Sequence, residues 1–459
     1  MRLNNLFNLM VVILFINGCR QSYIPQGYIT PVNIPPGDTH LAPIPGRYIV
    51  IMNDRFEKPL IKSRRFKDDR LKQRDRNSKR RQEKIKALKS YLSAKQIKAD
   101  KRDAFFSDLK VMAIIHIDAT AAANLRLDTE NISAVVQDVT VQINPIQQSI
   151  TEGVDDPMRK WQTDPVTNIN PIQQNDQEQI LHDIDVATRT TKAVVAAGGS
   201  YLDGHRRKSV IWILDTGLDT NSVFLNCKKS LGAYFLGSSI QDGNGHGTFC
   251  AGVAAGRPVG TTASDSIRIG VSAGATVVPI KVLDDSGKGS WGSVLAGLDH
   301  VAQFSHKDDV VNLSLGAYDP ANLNCNYPAL VQAIDNVTLI KKNRKVFVTM
   351  SAGNDGRAGV HAGHNAPGCI NQTHVFTTSS IGDVSTCATY ANFGSPPVDF
   401  VTVGTRVFSL WANGTFRMAS GTSVSSAILA GIIHAKGEAP SSTRTVNCNG
   451  SPYNIATWR

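Results

Sequence analysis

The sequence predicts an α/β protein, a doubly wound and mostly parallel sheet, preceded by a small α+β domain. Three observations predict it. Beyond Ser209, six apolar runs lack the in/out alternation of half-exposed strands, as expected of parallel strands covered on both faces. Segments of helical spacing and crossover length lie between several of them. Ahead of them, from about Gly46 to Gln142, short β-branched runs flank helical stretches.

The chain has 459 residues, ample for a large core and for two or three domains of ordinary size. Hydrophobic residues make up 41% and charged residues 19%, which excludes a wholly disordered chain. No apolar run reaches the roughly 20 residues a membrane-spanning helix needs. The formal charge of +11 is confined: between Arg55 and Arg102, 20 Lys and Arg face 6 Asp and Glu, a local +14 that leaves −3 elsewhere. A basic run of this kind reads as a solvated helix face, so no nucleic-acid partner is assigned.

Residues 1–18 carry Arg2 ahead of an apolar stretch from Leu6 to Ile16, the layout of a secretory signal peptide and too short to remain as an anchor. A secreted or cell-envelope protein is expected. Ile16-Asn17-Gly18-Cys19 also resembles a bacterial lipobox, with Asn17 a poor match. Acylation of Cys19, which would be the chain's sole membrane attachment, and ordinary signal cleavage both stay open. Residues 19–45 read as a Pro-rich linker. Residues 46–142 form the small domain: a strand at Arg47 to Met52, a mostly solvated helix within Lys67 to Ile97, and strands at Val111 to Ile117 and Ala134 to Val141 around a helix at Thr120 to Leu127. Residues 143–180 are rich in Asn, Gln, Asp and Pro, with INPIQQ at Ile143 to Gln148 and again at Ile169 to Gln174. They read as an exposed connector where a chain is cut. Residues 181–459 hold the α/β domain, with strands at Val210 to Leu214, Val277 to Leu283, Val310 to Leu315, Val346 to Met350, Val375 to Thr378 and Phe400 to Val403, and crossover helices at Trp291 to Phe304 and Ala329 to Ile340.

Beyond Cys19 lie six cysteines, Cys227, Cys250, Cys325, Cys369, Cys387 and Cys448. An exported chain permits disulfides among them, and spacing does not choose the pairs. None has CxxC spacing, and His361 and His364 in VHAGHNAPG have no third ligand placed beside them, so no metal is assigned.

Four motifs carry chemistry. Asp215 ends a strand in VIWILDTGLD, at the sheet edge where open α/β folds place their sites. His246 in DGNGHGTFCAG is flanked by glycines, as expected if other groups approach the imidazole closely. Asn354 in VTMSAGNDG follows a strand, where its amide can hold a turn or donate to an oxyanion. Ser423 in MASGTSVSSAILAGIIH falls at a helix start, where unpaired N–H groups favour developing negative charge; a plain N-cap is the simpler use of such a residue.

The four stand in the order Asp, His, Asn, Ser, the chain order of the subtilisin triad. From Ser209 to Ile433, through DTG, GHGTFCAG, NLSLGA, SAGN and SGTS, the sequence resembles the subtilisin-like serine proteases, and most of all their proteinase K-like branch. The resemblance implies a serine endopeptidase in which Asp215 orients His246, His246 is general base and then acid, Ser423 is the nucleophile, and Asn354 shares an oxyanion hole with the Ser423 N–H. It implies that Leu313, Ser314, Leu315 and Gly316 pair with an extended substrate, giving broad specificity toward proteins and peptides, and that Ser351, Ala352 and Gly353 wall the primary specificity pocket. It implies that residues 46–142 are an inhibitor-type propeptide, the enzyme's own intramolecular inhibitor, removed on activation. It implies no required cofactor; relatives often hold structural calcium, for which no residue here is assigned. In the proteinase K-like branch a free thiol stands at the position of Cys250, which leaves a second thiol unpaired. Two departures are visible: Ala427 stands where the family has Pro, and only 36 residues follow Ser423, with Cys448 placed to fasten the end. A catalytically inert member used for binding is the competing class.

Overall fold

The computed structural model describes residues 42–53, 70–98, 104–106, 112–143, 184–185, 187–260, 266–320, 325–338 and 345–459. The expected signal peptide, Cys19 and most of the linker lie outside these residues. So do nearly all of the expected connector and much of the basic segment.

The N-terminal lobe runs β1 (Pro43–Met52), α1 (Arg70–Ala94), β2 (Ala104–Phe106), β3 (Met112–His116), α2 (Ala119–Arg126) and β4 (Ile132–Ile143). Its strands form an antiparallel sheet in the order β2–β3–β1–β4. Leu88 and Leu92 of α1 and Leu125 of α2 are fully buried against Val50, Ala113 and Ile115. The first strand begins inside the segment read as linker, because neighbours hold its main chain. Pro43 lies opposite Val139, and the Gln137 side-chain amide donates to the carbonyls of Ile44 at 2.6 Å and Arg47 at 2.9 Å.

The larger part follows as β5 (Val210–Asp215), α3 (His246–Ala255), β6 (Thr276–Lys281), β7 (Lys288–Ser290), α4 (Trp291–Phe304), β8 (Val310–Leu313), β9 (Leu315–Tyr318), α5 (Pro328–Thr338), β10 (Phe347–Ser351), β11 (Val375–Ile381), β12 (Val398–Val403), β13 (Val407–Leu410), β14 (Phe416–Ala419), α6 (Thr422–Lys436), β15 (Thr445–Cys448) and β16 (Ser451–Asn454). The six long apolar strands form one parallel sheet in the order β12–β11–β10–β8–β5–β6. One face packs on α3 and α6 through Phe249, Val253, Ile428 and Ile432, and the other on α4 and α5 through Val294, Leu298, Ile334 and Val337. The chain passes from β6 through α4 to β8 on the far side of β5. That places a reversal of strand order at the carboxyl end of β5, where such sheets hold ligands.

Disulfides join Cys325 to Cys369 and Cys387 to Cys448, and Cys227 and Cys250 are free. The short C-terminus is fastened as the cysteine count suggested. Beyond the Cys448 bridge, the Ala456 N–H donates to the Val401 carbonyl at 3.0 Å and the Trp458 indole to that of Gly199 at 2.8 Å.

His434 on α6 is fully buried. Its Nδ1 faces the Ser272 hydroxyl at 2.8 Å and its Nε2 the Ser209 carbonyl at 3.1 Å, a neutral ring donating one hydrogen bond and accepting another. Burial pushes its pKa down from 6.5 to about 4. The unfolded chain therefore binds the extra proton first, and the stability this ring contributes is complete above pH 6.5 and lost as pH falls toward 4. Denaturant titrations of wild type and His434→Gln should differ by about 3 kcal/mol less at pH 4 than at pH 7. A difference independent of pH would contradict the neutral buried ring.

Candidate active site

Asp215 is the last residue of β5, and its main-chain carbonyl is held by the N–H groups of Val282 and Leu283. Its carboxylate is fully buried and faces His246 Nδ1 at 2.8 and 2.9 Å, while the Thr216 N–H donates to it at 2.7 Å. His246 opens α3. That start is fixed by Asp242, which the sequence reading did not single out. Its buried carboxylate accepts from the N–H groups of Asn244, Gly245 and Thr248 and from the Thr216 and Thr248 hydroxyls. An Asp four residues before a His in a glycine-rich turn was the one available signal. The flanking glycines serve packing rather than access: a Cβ on Gly247 would lie 2.2 Å from the Gly217 carbonyl oxygen.

Burial works against the protonated form of His246, but the Asp215 carboxylate outweighs it and holds the imidazole's pKa well above the ordinary 6.5. Cys250, one helical turn on, is fully buried with its sulfur 4.0 Å from His246 Nδ1, and burial pushes its thiol up. Asp215, His246 and Cys250 are also the single group of three potential metal ligands brought together among the described residues. This buried nitrogen, sulfur and oxygen set does not suit calcium, which takes oxygen ligands.

Ser423 is the second residue of α6, which starts regularly at Thr422 although Ala427 replaces the family Pro; Ala427 is simply buried in the core. The Ser423 hydroxyl donates to the Ser314 carbonyl at 3.1 Å, while His246 Nε2 is buried with no hydrogen-bond partner. Ser423 Oγ and His246 Nε2 are therefore not hydrogen-bonded to each other.

Asn354 follows β10 and is turned toward the same helix start. Its Oδ1 accepts from the Thr422 N–H and hydroxyl, both at 2.9 Å, which directs the amide NH2 away from Thr422. Gly421 keeps the space open. A Cβ there would stand 3.3 Å from Asn354 Nδ2 and 3.8 Å from the Ser423 nitrogen, between the two groups able to donate to an oxyanion.

Ser314 links β8 to β9 and Leu315 and Gly316 lie in β9, whereas Leu313 ends β8 inside the main sheet. Asn312 supports this corner, donating to the Ser314 hydroxyl at 2.8 Å and accepting from Ser426 at 2.7 Å. Ser351, Ala352 and Gly353 continue from β10 and are buried. They are held by two asparagines absent from the sequence reading: Asn365 donates to the Ser351 carbonyl at 3.3 Å, and Asn392 accepts the Asp355 N–H at 2.8 Å.

A further strand reaches this place from the N-terminal lobe. The end of β4 runs antiparallel between β7 and β9, with Gln142 opposite both Lys288 and Gly316 and Ile143 opposite Leu315. It therefore ends beside Ser314, whose carbonyl holds the Ser423 hydroxyl.

The family model described as "Subtilase family" matches residues 206–445 of this chain. The chain belongs to the subtilase family. Among relatives, this subtilase is 31% identical to "Proteinase T" of Parengyodontium album over 51% of this chain and 72% of that protein. It is 28% identical to the "Cuticle-degrading protease" of Metarhizium anisopliae over 50% of this chain and 54% of that protein. The subtilase chain spans about half the length of most curated relatives it matches. A solved "cold adapted subtilisin-like serine proteinase" aligns with TM-score 0.45 at 22% identity, over 57% of this chain and 90% of that one.

Proposed function

We propose that this subtilase is an exported serine endopeptidase, made as a precursor whose N-terminal lobe, residues 46–142, occupies its own substrate cleft until it is cut away. The observation that supports this most is the placement of β4. A main-chain strand held on both edges by β7 and β9, and running toward Ser423, is the posture of an extended peptide bound by strand addition. Such pairing uses backbone groups, so the specificity on this side is broad.

The chemistry follows from the neighbours of the bound strand. Ser423 attacks the carbonyl carbon, its proton passing to His246 Nε2. Asp215, bonded to Nδ1, fixes the tautomer and stabilises the imidazolium. Asn354 Nδ2 and the Ser423 N–H receive the oxyanion, and His246 then returns the proton to the leaving amine. Leu315 and Gly316 pair with the peptide, Leu313 and Ser314 anchor that strand to the sheet and to Ser423, and Ser351 to Gly353 wall the side-chain pocket.

The test is covalent. Exposure of the processed protein to a sulfonyl fluoride, followed by intact and peptide mass, should give one adduct, on Ser423. Because the base must be neutral and Asp215 raises its pKa, the labelling rate should climb with pH through a midpoint above 6.5. An unlabelled Ser423 across the pH range would favour the inert, binding class instead.

A further inference from the structure

The hairpin leading into Ser423 carries a cation that this mechanism leaves unused. Among the described residues β13 and β14 pair only with each other, with Ser409 opposite Arg417. The hairpin is held firmly. The Ser409 hydroxyl donates to the Phe249 carbonyl at 3.0 Å, the Gly414 N–H to Asp219 Oδ2 at 2.9 Å, and Phe416 stacks on Phe408 with centroids 5.5 Å apart.

Trp411, at its tip, packs against the residue before the base. Gly245 has φ +112°, and a Cβ there would fall 2.1 Å from the Trp411 ring, so the indole touches the backbone next to His246. The ring also meets Phe249 edge-on, with centroids 6.2 Å apart. Over it lies Arg417, its guanidinium carbon 4.1 Å from the ring centroid. Arg417 is half-buried, and no carboxylate pairs with it among the described residues. A guanidinium stacked on indole, partly desolvated and fixed in direction, is prepared to take a carboxylate in two parallel hydrogen bonds.

Its position says which carboxylate. The strand clamped between β7 and β9 approaches Ser423 from the acyl side, and the hairpin pairs with neither clamp strand. Through Trp411 on Gly245 the hairpin instead adjoins the imidazole that returns a proton to the leaving amine, so the leaving segment is the part of the substrate that passes nearest to it. An extended peptide advances about 3.3 Å per residue, so the second or third residue of the leaving segment comes within reach of a long side chain one packed ring away from Gly245.

We infer that Arg417, seated on Trp411, selects peptides with Asp or Glu at the second or third residue after the cleaved bond. The inference rests on the endopeptidase reading and adds selectivity on the leaving side to the broad acyl side. Because the side chain is already ordered by Trp411, little rotamer freedom remains to be lost on binding.

The test uses internally quenched peptides sharing one acyl segment and carrying Asp, Asn or Lys in turn at each of the three positions after the cut, with each protein's rate normalised to its own Asn peptide. The self-processed wild type should cleave the best-placed Asp peptide about tenfold faster than its Asn counterpart in kcat/KM, and the Lys peptide more slowly still, a spread that narrows in high salt. Arg417→Gln should bring the three rates together, and Arg417→Glu should reverse their order, which a merely structural arginine would not do. Cleavage of all peptides by wild type without discrimination at any position would overturn the role of Arg417 alone. No cleavage of any peptide would remove the endopeptidase reading and this inference with it.

Discussion

Ser423→Ala is expected to leave a folded protein that hydrolyses denatured casein on the order of a millionfold more slowly than wild type, the scale known for subtilisin, a member of the same family. The hydroxyl's one hydrogen bond is to the Ser314 carbonyl at 3.1 Å, and its loss costs about 1 kcal/mol, so α6 and its core persist. Asn354 separates into two roles that its variants distinguish. Asn354→Ala removes the oxyanion donor and unpins Thr422, and turnover should fall about a hundredfold or more. Asn354→Asp keeps the acceptor that holds Thr422 but turns a second acceptor toward the oxyanion, and should be at least as slow. Normal turnover by Ser423→Ala would show the nucleophile to be elsewhere.

The second large effect concerns the precursor. Expressed in an exporting host, wild type should appear as two fragments with the new N-terminus shortly beyond Ile143, since Ile143 pairs with Leu315 next to the Ser314 that holds the Ser423 hydroxyl, while Ser423→Ala should remain one uncut chain. The docking of the lobe offers an independent handle. Asp138 of β4 is fully buried, ion-paired with Arg47 at 3.0 Å, and accepts the Gly292 N–H at 3.0 Å at the start of α4. A Cβ on Gly292 would come within 2.7 Å of Arg47, Asp138 and Ile114. Gly292→Leu should therefore lift the lobe away, and the cut should change from a concentration-independent step to one that accelerates with protein concentration. Uncut wild type with full activity would exclude self-processing.

How much of this was legible depended on what kind of interaction carried each part. Strands buried on both faces must be apolar throughout, and the runs at Val210, Val310 and Val346 announce themselves for that reason. Asp215, His246, Asn354 and Ser423 sit in motifs whose glycines and turns are set locally, which is why the sequence singles them out. β7 was not: Lys288-Gly289-Ser290 has no apolar pattern, because it contributes main-chain groups to β4 and nothing to a core. Pro43 to Pro45 were read as linker for the same reason. Asp242, Asn365 and Asn392 act through hydrogen bonds to backbone far away in sequence or around a turn, which single residue types do not reveal. The pairing of the cysteines is set by the distances the fold creates.

Those pairings have a consequence for where the molecule can work. The bridges Cys325–Cys369 and Cys387–Cys448 span 44 and 61 residues, and each restricts the unfolded chain by about 4 kcal/mol on the loop-entropy account. Neither touches the Asp215–His246 pair. Both instead brace the segments that carry Asn365 and Asn392, the side chains holding the stretch from Ser351 to Asp355 around Asn354. In a thiol-rich compartment the hydrogen-bonded pair of Asp215 and His246 should therefore stay assembled while the stretch from Ser351 to Asp355 loosens, which amide exchange with and without reductant would check.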